Sequence, residues 1–85
     1  MTRFRVAVQI VPRRGILDPQ GKAVSDALHT LGFASVSDVR VGRHLVLDTD
    51  AASEDAAKAE VGRMCEQLLA NPVTEDFHIG AVERA

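Results

Sequence analysis

The stretch RFRVAVQIVPRRGILDPQGKAV (residues 3–24) changes its hydrophobic period once, and that change decides the fold. Its first part alternates between apolar and other residues. The residues that share one face are Phe4, Val6, Val8 and Ile10. An alternating pattern of this kind is typical of a β-strand with one buried face. A turn signal that contains Pro and Gly then breaks the strand.

A helix is predicted directly after this break. Asp18 can cap the free N–H groups of the first turn, and Pro19 fits the first helical position because an N–H there has no partner. Gly32 supplies the positive φ that ends many helices. The apolar residues between these limits follow the helical spacing i, i+3, i+4, i+7 and are Val24, Ala27, Leu28 and Leu31. The pattern therefore predicts an amphipathic helix with one buried stripe.

Two more strands and a hairpin are predicted in the middle of the chain. Residues 36–41 and 44–49 are rich in Val and Leu at alternate positions. Gly42-Arg43 lies between them, which is a short hairpin signal. The first and second halves of this region would therefore form neighbouring antiparallel strands.

A second helix and a last strand complete the prediction. The helix begins near Ser53 and ends by Asn71, because Pro72 disfavours the α conformation in the residue before it. Its predicted buried stripe consists of Ala57, Val61, Met64, Cys65 and Leu68. Residues 75–83 form the last strand, and the side chains expected on one of its faces are Phe77, Ile79 and Ala81.

The predicted element order is β-α-β-β-α-β. Right-handed crossovers and unknotted connections then favour an α+β, ferredoxin-like sandwich. Two helices would cover one face of a four-stranded antiparallel sheet, and residues 1–85 would form a single domain.

The other face of this sheet has no cover within the chain. By parity it carries the following residues: Ala7, Gln9, Val11, Arg40, His44, Val46, His78, Gly80 and Val82. Apolar and small side chains are frequent among them, whereas a solvated face usually carries more Lys, Glu and Thr. We expect this face to bind another protein surface, most simply the same face of a second copy, although a mixed exposed face stays possible.

Composition excludes several classes of function. The 85 residues include 10 basic and 12 acidic ones, which gives a formal charge of −2. This balance does not suggest nucleic-acid or anionic-membrane binding, and the absence of Trp and Tyr removes most base-stacking side chains. No apolar run is long enough for a membrane span. A single Cys and no export signal favour a cytoplasmic protein.

No catalytic or cofactor-binding constellation is visible in the sequence. His44 and His78 share the uncovered face and could hold a metal, but no third ligand joins them, so surface histidines are the simpler interpretation. Cys65 lies on a buried stripe, which is typical of a structural thiol. Arg13 and Arg14 precede an isolated Gly and could meet a phosphate, yet no phosphate-loop glycine pattern is present. The residues alone therefore favour protein binding over catalysis.

Three stretches together resemble a known family. They are GILDPQGKAV (residues 15–24), DVRVGR (residues 38–43) and CEQLLANPVTEDF (residues 65–77). In order and spacing they are similar to the PurS family, the small subunits of multi-subunit phosphoribosylformylglycinamidine synthase. Arg43 stands where the family often has Lys, and Thr74 where it usually has an aliphatic residue.

The resemblance implies a non-catalytic adaptor in de novo purine synthesis. It would be a dimer or larger assembly that docks a glutaminase subunit onto a large synthetase subunit and supports ammonia transfer. The large subunit would use ATP and magnesium, and this chain would bind no cofactor or metal. The residues that we expect to contact the partners are Asp18, Gln20, Arg40, Gly42, Arg43, Asn71 and Glu75.

Two other functions stay open at this level. A ligand-sensing regulatory domain could have the same topology and bind an amino acid or nucleotide between two copies. A small hydrolase of the acylphosphatase kind could use the basic turn at Arg13-Arg14-Gly15 to hold a phosphate. A ligand-induced thermal shift would favour the first of these, and phosphate release by the isolated chain would favour the second.

Overall fold

The computed structural model describes residues 1–85 and contains three strands, two α-helices and one π-helical turn. In chain order the elements are β1 (Thr2–Pro12), α1 (Pro19–Thr30), β2 (Arg43–Ala51), α2 (Glu54–Met64), the π-turn (Cys65–Leu69) and β3 (Glu75–Arg84). Asp18 and Ser53 cap the two α-helices as their sequences predict. Neither α-helix combines the length and the apolar character that a membrane crossing requires.

The sheet is antiparallel with the order β2-β1-β3, so the first strand lies in the centre. Helix α2 covers one face of the sheet. The buried core lies between them and contains Phe4, Val6, Val8, Ile10, Ala51, Ala57, Val61, Cys65 and Ala70. The α+β class and the inward face of β1 are therefore confirmed.

The prediction of a fourth strand is wrong for this chain. Residues 36–41 pair with no strand, and no turn or bend reverses the backbone between Val36 and Arg43. A two-residue hairpin of the favoured types needs a positive φ in its turn, but only Gly15 and Gly32 have one. Gly42 instead lies against the carbonyl oxygen of Ile10, and the chain runs on into β2 without turning back.

Helix α1 does not cover the sheet, so the predicted layer of two helices is also wrong. No strand packs substantially against α1, whereas α2 packs against all three strands. Of the predicted α1 stripe, Leu28 is half-buried, while Val24, Ala27 and Leu31 are exposed. Because the chain leaves and re-enters the sheet at the paired residues Ile10 and Arg43, helix α1 lies beyond that end of the sheet.

The end of the second helix departs from the α-helical period. Cys65 accepts a hydrogen bond from Ala70, five residues later, which is the π-helical pattern. The wider turn advances the buried position by one residue. Leu69 consequently packs against the core, whereas Leu68, predicted in the buried stripe, is 82% exposed.

A β-bulge changes the parity of β3. Val6 and Val8 are two residues apart on β1, but their partners Val82 and Ile79 are three apart on β3. The extra residue lies beside Gly80, and an isolated Gly in a strand is a common signal for a bulge. Val82 therefore packs against the core, and its predicted position on the uncovered face is wrong.

Candidate functional site

Three of the predicted contact residues form one hydrogen-bonded junction. The Glu75 carboxylate accepts hydrogen bonds from the Asn71 backbone N–H at 2.8 Å and from the Arg43 guanidinium at 2.9 Å. Arg43 also donates to the carbonyl oxygen of Leu69 at 2.9 Å. The Asn71 backbone N–H, and after it Arg43, lower the pKa of Glu75. The junction ties the start of β2 to the end of the π-turn and to the start of β3.

Asp18 holds two separate pieces of backbone. One carboxylate oxygen accepts from the Gly21 N–H and the other from the Val41 N–H, each at 3.0 Å. These bonds, with the one from Val41 largest, lower the pKa of Asp18. Gly21 is buried against the Val39 carbonyl, so no side chain fits there. The sequence predicts the helix cap, but not the second bond to residue 41.

The two hydrogen bonds that the Asp18 carboxylate accepts should depend on pH. The pKa of Asp18 is lower in the folded chain than its ordinary value of 3.8. The two hydrogen bonds therefore stabilise the folded chain fully above pH 3.8, and this stabilisation is lost as the pH falls through the pKa of the folded chain. The amide resonances of Gly21 and Val41 should therefore stay constant from neutral pH and shift together only below that ordinary value. In Asp18→Asn, which can still cap the helix, this shared transition should disappear. A transition that persists in the variant would contradict the assignment.

The other three predicted contact residues differ in their environment. Gln20 lies exposed in the first turn of α1. Arg40 contacts Asp38 and the Pro12 carbonyl oxygen, each at 3.4 Å, which are long distances for charge-assisted bonds. Gly42 is packed against β1. Gln20 and Arg40, together with the exposed side-chain amide of Asn71, thus keep polar groups available to a partner.

The uncovered sheet face has an apolar row, a histidine row and a charged end. Ala7 lies beside Val46, while Gln9 pairs with both His44 and His78. Val11 continues this face toward the end of β1 that leads into the turn before α1. These residues therefore occupy the face that the sequence predicts. Two predicted members do not: Val82 packs against the core, and Arg40 precedes β2 and belongs to no strand.

Ion pairs fill the remaining part of the uncovered face. Arg3 contacts Asp50 at 3.1 Å, and Arg5 contacts Asp48 at 3.0 Å. All four side chains are about half exposed or more, so the pairs contribute little to stability. The face is consequently less apolar than parity alone suggests, because charged residues cover one half of it.

The groups that could support catalysis do not converge. Burial raises the pKa of the Cys65 thiol, which disfavours the thiolate. His29 bonds the Val36 carbonyl oxygen at 2.7 Å. His44 and His78 are separated by Gln9, and no group of three metal-binding side chains is present. None of these groups has the neighbours that a nucleophile or a metal centre needs.

A cleft with a volume of about 640 Å³ lies between the turn after β1, helix α1 and residues 37–40. Its charges neutralise one another: Lys22 pairs with Asp26 at 3.2 Å. Arg13 turns to Asp76, at 3.0 Å, and to the Pro72 carbonyl oxygen. Arg40, which also lines the cleft, lies 3.4 Å from Asp38. Arg14 is thus the one cation of the lining without an acidic partner, and the cleft is a poor phosphate cradle.

Comparison with known proteins agrees with the sequence resemblance. Residues 5–83 match the PurS family, described as phosphoribosylformylglycinamidine (FGAM) synthase. The PurS subunit of Mycobacterium leprae is 43% identical over 75 residues, which are 88% of this chain and 91% of that protein. Thermus thermophilus PurS has a TM-score of 0.83 at 37% identity and covers 98% of both chains. A chain in the structure of PurLQS from Thermotoga maritima has a TM-score of 0.81 at 29% identity, covering 94% of this chain and 98% of that one.

The fold and its surfaces define a small α+β subunit whose ordered polar groups hold its own loops in place. The chain belongs to the PurS family, and its function is that of the PurS subunit of phosphoribosylformylglycinamidine synthase in purine biosynthesis. The match does not favour the ligand-sensing domain considered above.

Proposed function

We propose that this chain is the adaptor that docks the glutaminase subunit, PurQ, onto the synthetase subunit, PurL, in the cytoplasm. The observation that carries this proposal is the likeness to a chain of the PurLQS structure over 94% of its length. The absence of convergent catalytic groups in the chain agrees with such a role. The large subunit would bind ATP and magnesium, and this chain would hold the two larger subunits in their relative positions.

The chemistry explains why an adaptor is needed. Free ammonia is mostly protonated at neutral pH, and ammonium is not a nucleophile. Ammonia released by a glutaminase must therefore reach the synthetase by a sheltered route. A chain that fixes the two larger subunits against each other raises the local ammonia concentration at the second site.

Two surfaces are available for the larger subunits. One is the exposed start of α1 with Gln20, together with the weakly held Arg40, which lines the cleft beside this helix. The other is the uncovered sheet face around Ala7 and Val46. The sequence suggests Arg43 as a partner contact. Its guanidinium, however, already donates hydrogen bonds to Glu75 and to the Leu69 carbonyl oxygen, so its first role is structural.

Reconstitution tests the adaptor role. PurL and PurQ are mixed with and without this chain, and amidine formation is measured with glutamine and, separately, with ammonium salt. Omission of the chain should lower the glutamine-dependent rate at least about tenfold, because the local supply of ammonia is lost. The ammonia-dependent rate should stay unchanged within about twofold, since it bypasses the docked glutaminase.

Variants of the exposed residues refine the same experiment. Gln20→Ala should weaken glutamine-dependent turnover and leave the folded chain intact, while Lys58→Ala on the solvent side of α2 serves as the matched control. Equal glutamine-dependent rates with and without the chain would contradict the proposal. A loss of both rates would show instead that the chain is needed by the synthetase itself.

A further inference from the structure

A second cavity lies between the π-turn and the start of β3 and has a volume of about 410 Å³. Its apolar lining consists of Cys65, Ala70, Pro72 and Phe77. Phe77 is 37% exposed, and Val73, which directly follows the lining residue Pro72, is 74% exposed. A pocket accompanied by large apolar side chains that are open to solvent is the form of a site that takes an anchor residue from another protein.

The loop that carries Val73 is ordered by its own hydrogen bonds. Each backbone N–H group in residues 70–75 donates a hydrogen bond within the chain. Asn71 accepts three of these bonds, which come from Val73, Thr74 and Glu75. A loop that is already fixed loses little conformational freedom when it binds a partner. The exposed Val73 side chain is therefore presented at a low entropic cost.

Two arginines from other parts of the chain hold the same loop. The Arg13 backbone N–H donates to the Thr74 carbonyl oxygen, and the Arg13 guanidinium donates to the Pro72 carbonyl oxygen, each at 2.9 Å. Arg43 donates to the Leu69 carbonyl oxygen at 2.9 Å. These arginines lie directly after β1 and at the start of β2, so the loop is fixed to the sheet. The pocket is consequently formed before any partner binds.

The charges around the pocket leave one carboxylate without a partner. Of the four charged side chains that line it, Arg13 pairs with Asp76 at 3.0 Å. Glu75 pairs with Arg43 at 2.9 Å. The fourth, Glu66, lies exposed on the π-turn and takes part in none of the ion pairs of the chain. The pocket therefore keeps one free negative charge next to its apolar lining, which a cation of a partner can neutralise.

The pocket is continuous with the cleft beside α1. Arg13 lines both of them, so one partner surface can cover the two together. Phe77 pairs with the buried Ile10, so the pocket opens on the side of the sheet that α2 covers and not on the uncovered face. The pocket thus extends the surface at the start of α1 and is separate from the uncovered sheet face.

We propose that the pocket and the start of α1 dock the same larger subunit, and that the segment entering the pocket carries an apolar side chain next to a Lys or Arg. The apolar side chain packs on Phe77 and contacts Val73, and the cation pairs with Glu66. The apolar anchor supplies most of the affinity, while the charge pair supplies orientation and specificity. This inference rests on the proposed function, because it requires that the chain binds PurL and PurQ.

Calorimetric titration of the chain into PurL and, separately, into PurQ tests the site. Val73→Ser should lower the affinity for one of the two subunits at least about tenfold, as expected when an apolar side chain of this size no longer contributes. Glu66→Lys should lower the affinity for the same subunit roughly tenfold, because it places two cations together. Both variants should unfold in urea at the wild-type midpoint, since the Val73 side chain is exposed and Glu66 pairs with no residue of the chain.

Matched variants separate the pocket from the net charge of the chain. Glu60→Lys makes the same change of charge on α2, outside the pocket lining, and should change either affinity by less than about twofold. Added salt should weaken the binding of the wild-type chain to the docked subunit, and Glu66→Gln should reduce this dependence on salt. Gln20→Ala should weaken the binding to the same subunit as Glu66→Lys does, because the two residues lie on one continuous surface.

Two results would overturn this docking site. One is wild-type affinity of Val73→Ser and Glu66→Lys for both subunits, and the other is that Gln20→Ala and Glu66→Lys weaken the binding to different subunits. Reconstitution distinguishes either failure from failure of the adaptor role. A wild-type chain that still restores glutamine-dependent turnover would then keep that role, whereas one that binds neither subunit and restores no such turnover would refute the role itself.

Discussion

Leu69→Ala is expected to lower the free energy of unfolding by about 1–3 kcal/mol, whereas Leu68→Ala should change it by less than about 0.5 kcal/mol. The two residues are neighbours and chemically identical, so only their positions differ. Leu69 packs against the buried core, and its truncation leaves a partial cavity. Leu68 is 82% exposed, and its truncation removes little buried surface.

Urea unfolding of both variants measures the difference. The midpoint of the transition should fall for Leu69→Ala with an unchanged slope, and it should match wild type for Leu68→Ala. The opposite order would mean that the helix keeps its α-helical period to the end, as residue spacing alone suggests. π-Helical turns are uncommon and occur often at functional sites. Leu68, which this turn leaves exposed, is therefore also the first residue to test for loss of partner binding.

The three strands of the sheet and the two helix caps could be predicted, because their causes are local. The alternation of β1 requires only that one face be buried, and the caps at Asp18 and Ser53 act on N–H groups a few residues away. The junction at Glu75 could not be predicted, because the sequence suggests Arg43, Asn71 and Glu75 only as separate contacts with partners. Sequence spacing cannot show that Arg43, 32 residues earlier, reaches that carboxylate.

The position of helix α1 could not be predicted, because periodicity indicates an apolar face but not what lies against it. The stripe that includes Val24 and Leu31 indicates a packed helix, and the valines around residue 39 indicate a paired strand. Both indications are properties of the side chains alone. The backbone at Gly42 excludes the predicted hairpin, since it does not adopt the positive φ of a tight hairpin turn.

Gly42→Ala and Gly62→Ala should have effects of opposite sign. At Gly42 an added methyl group would collide with the Ile10 carbonyl oxygen and lie 2.9 Å from Cγ1 of Val11. Both belong to the central strand, which must shift, so we expect a loss of about 1–3 kcal/mol. At Gly62, within α2, the methyl group would lie 3.8 Å from Cδ1 of Ile79, which is an ordinary contact. Gly-to-Ala replacement in a helix should add about 0.5–1 kcal/mol.

Chemical denaturation of the two variants checks the signs, with the same methyl group added in each case. Equal stability of Gly42→Ala and wild type would show that Gly42 does not lie against β1. A loss at Gly62→Ala would show that α2 is closer to β3 than its contact with Ile79 indicates. Because the Ile10 carbonyl lies where the segment of residues 36–42 meets the sheet, the Gly42 variant should also weaken whatever contact this segment makes with a partner, while the Gly62 variant should not. Stability and assembly are thus expected to change together at one glycine and to stay separate at the other.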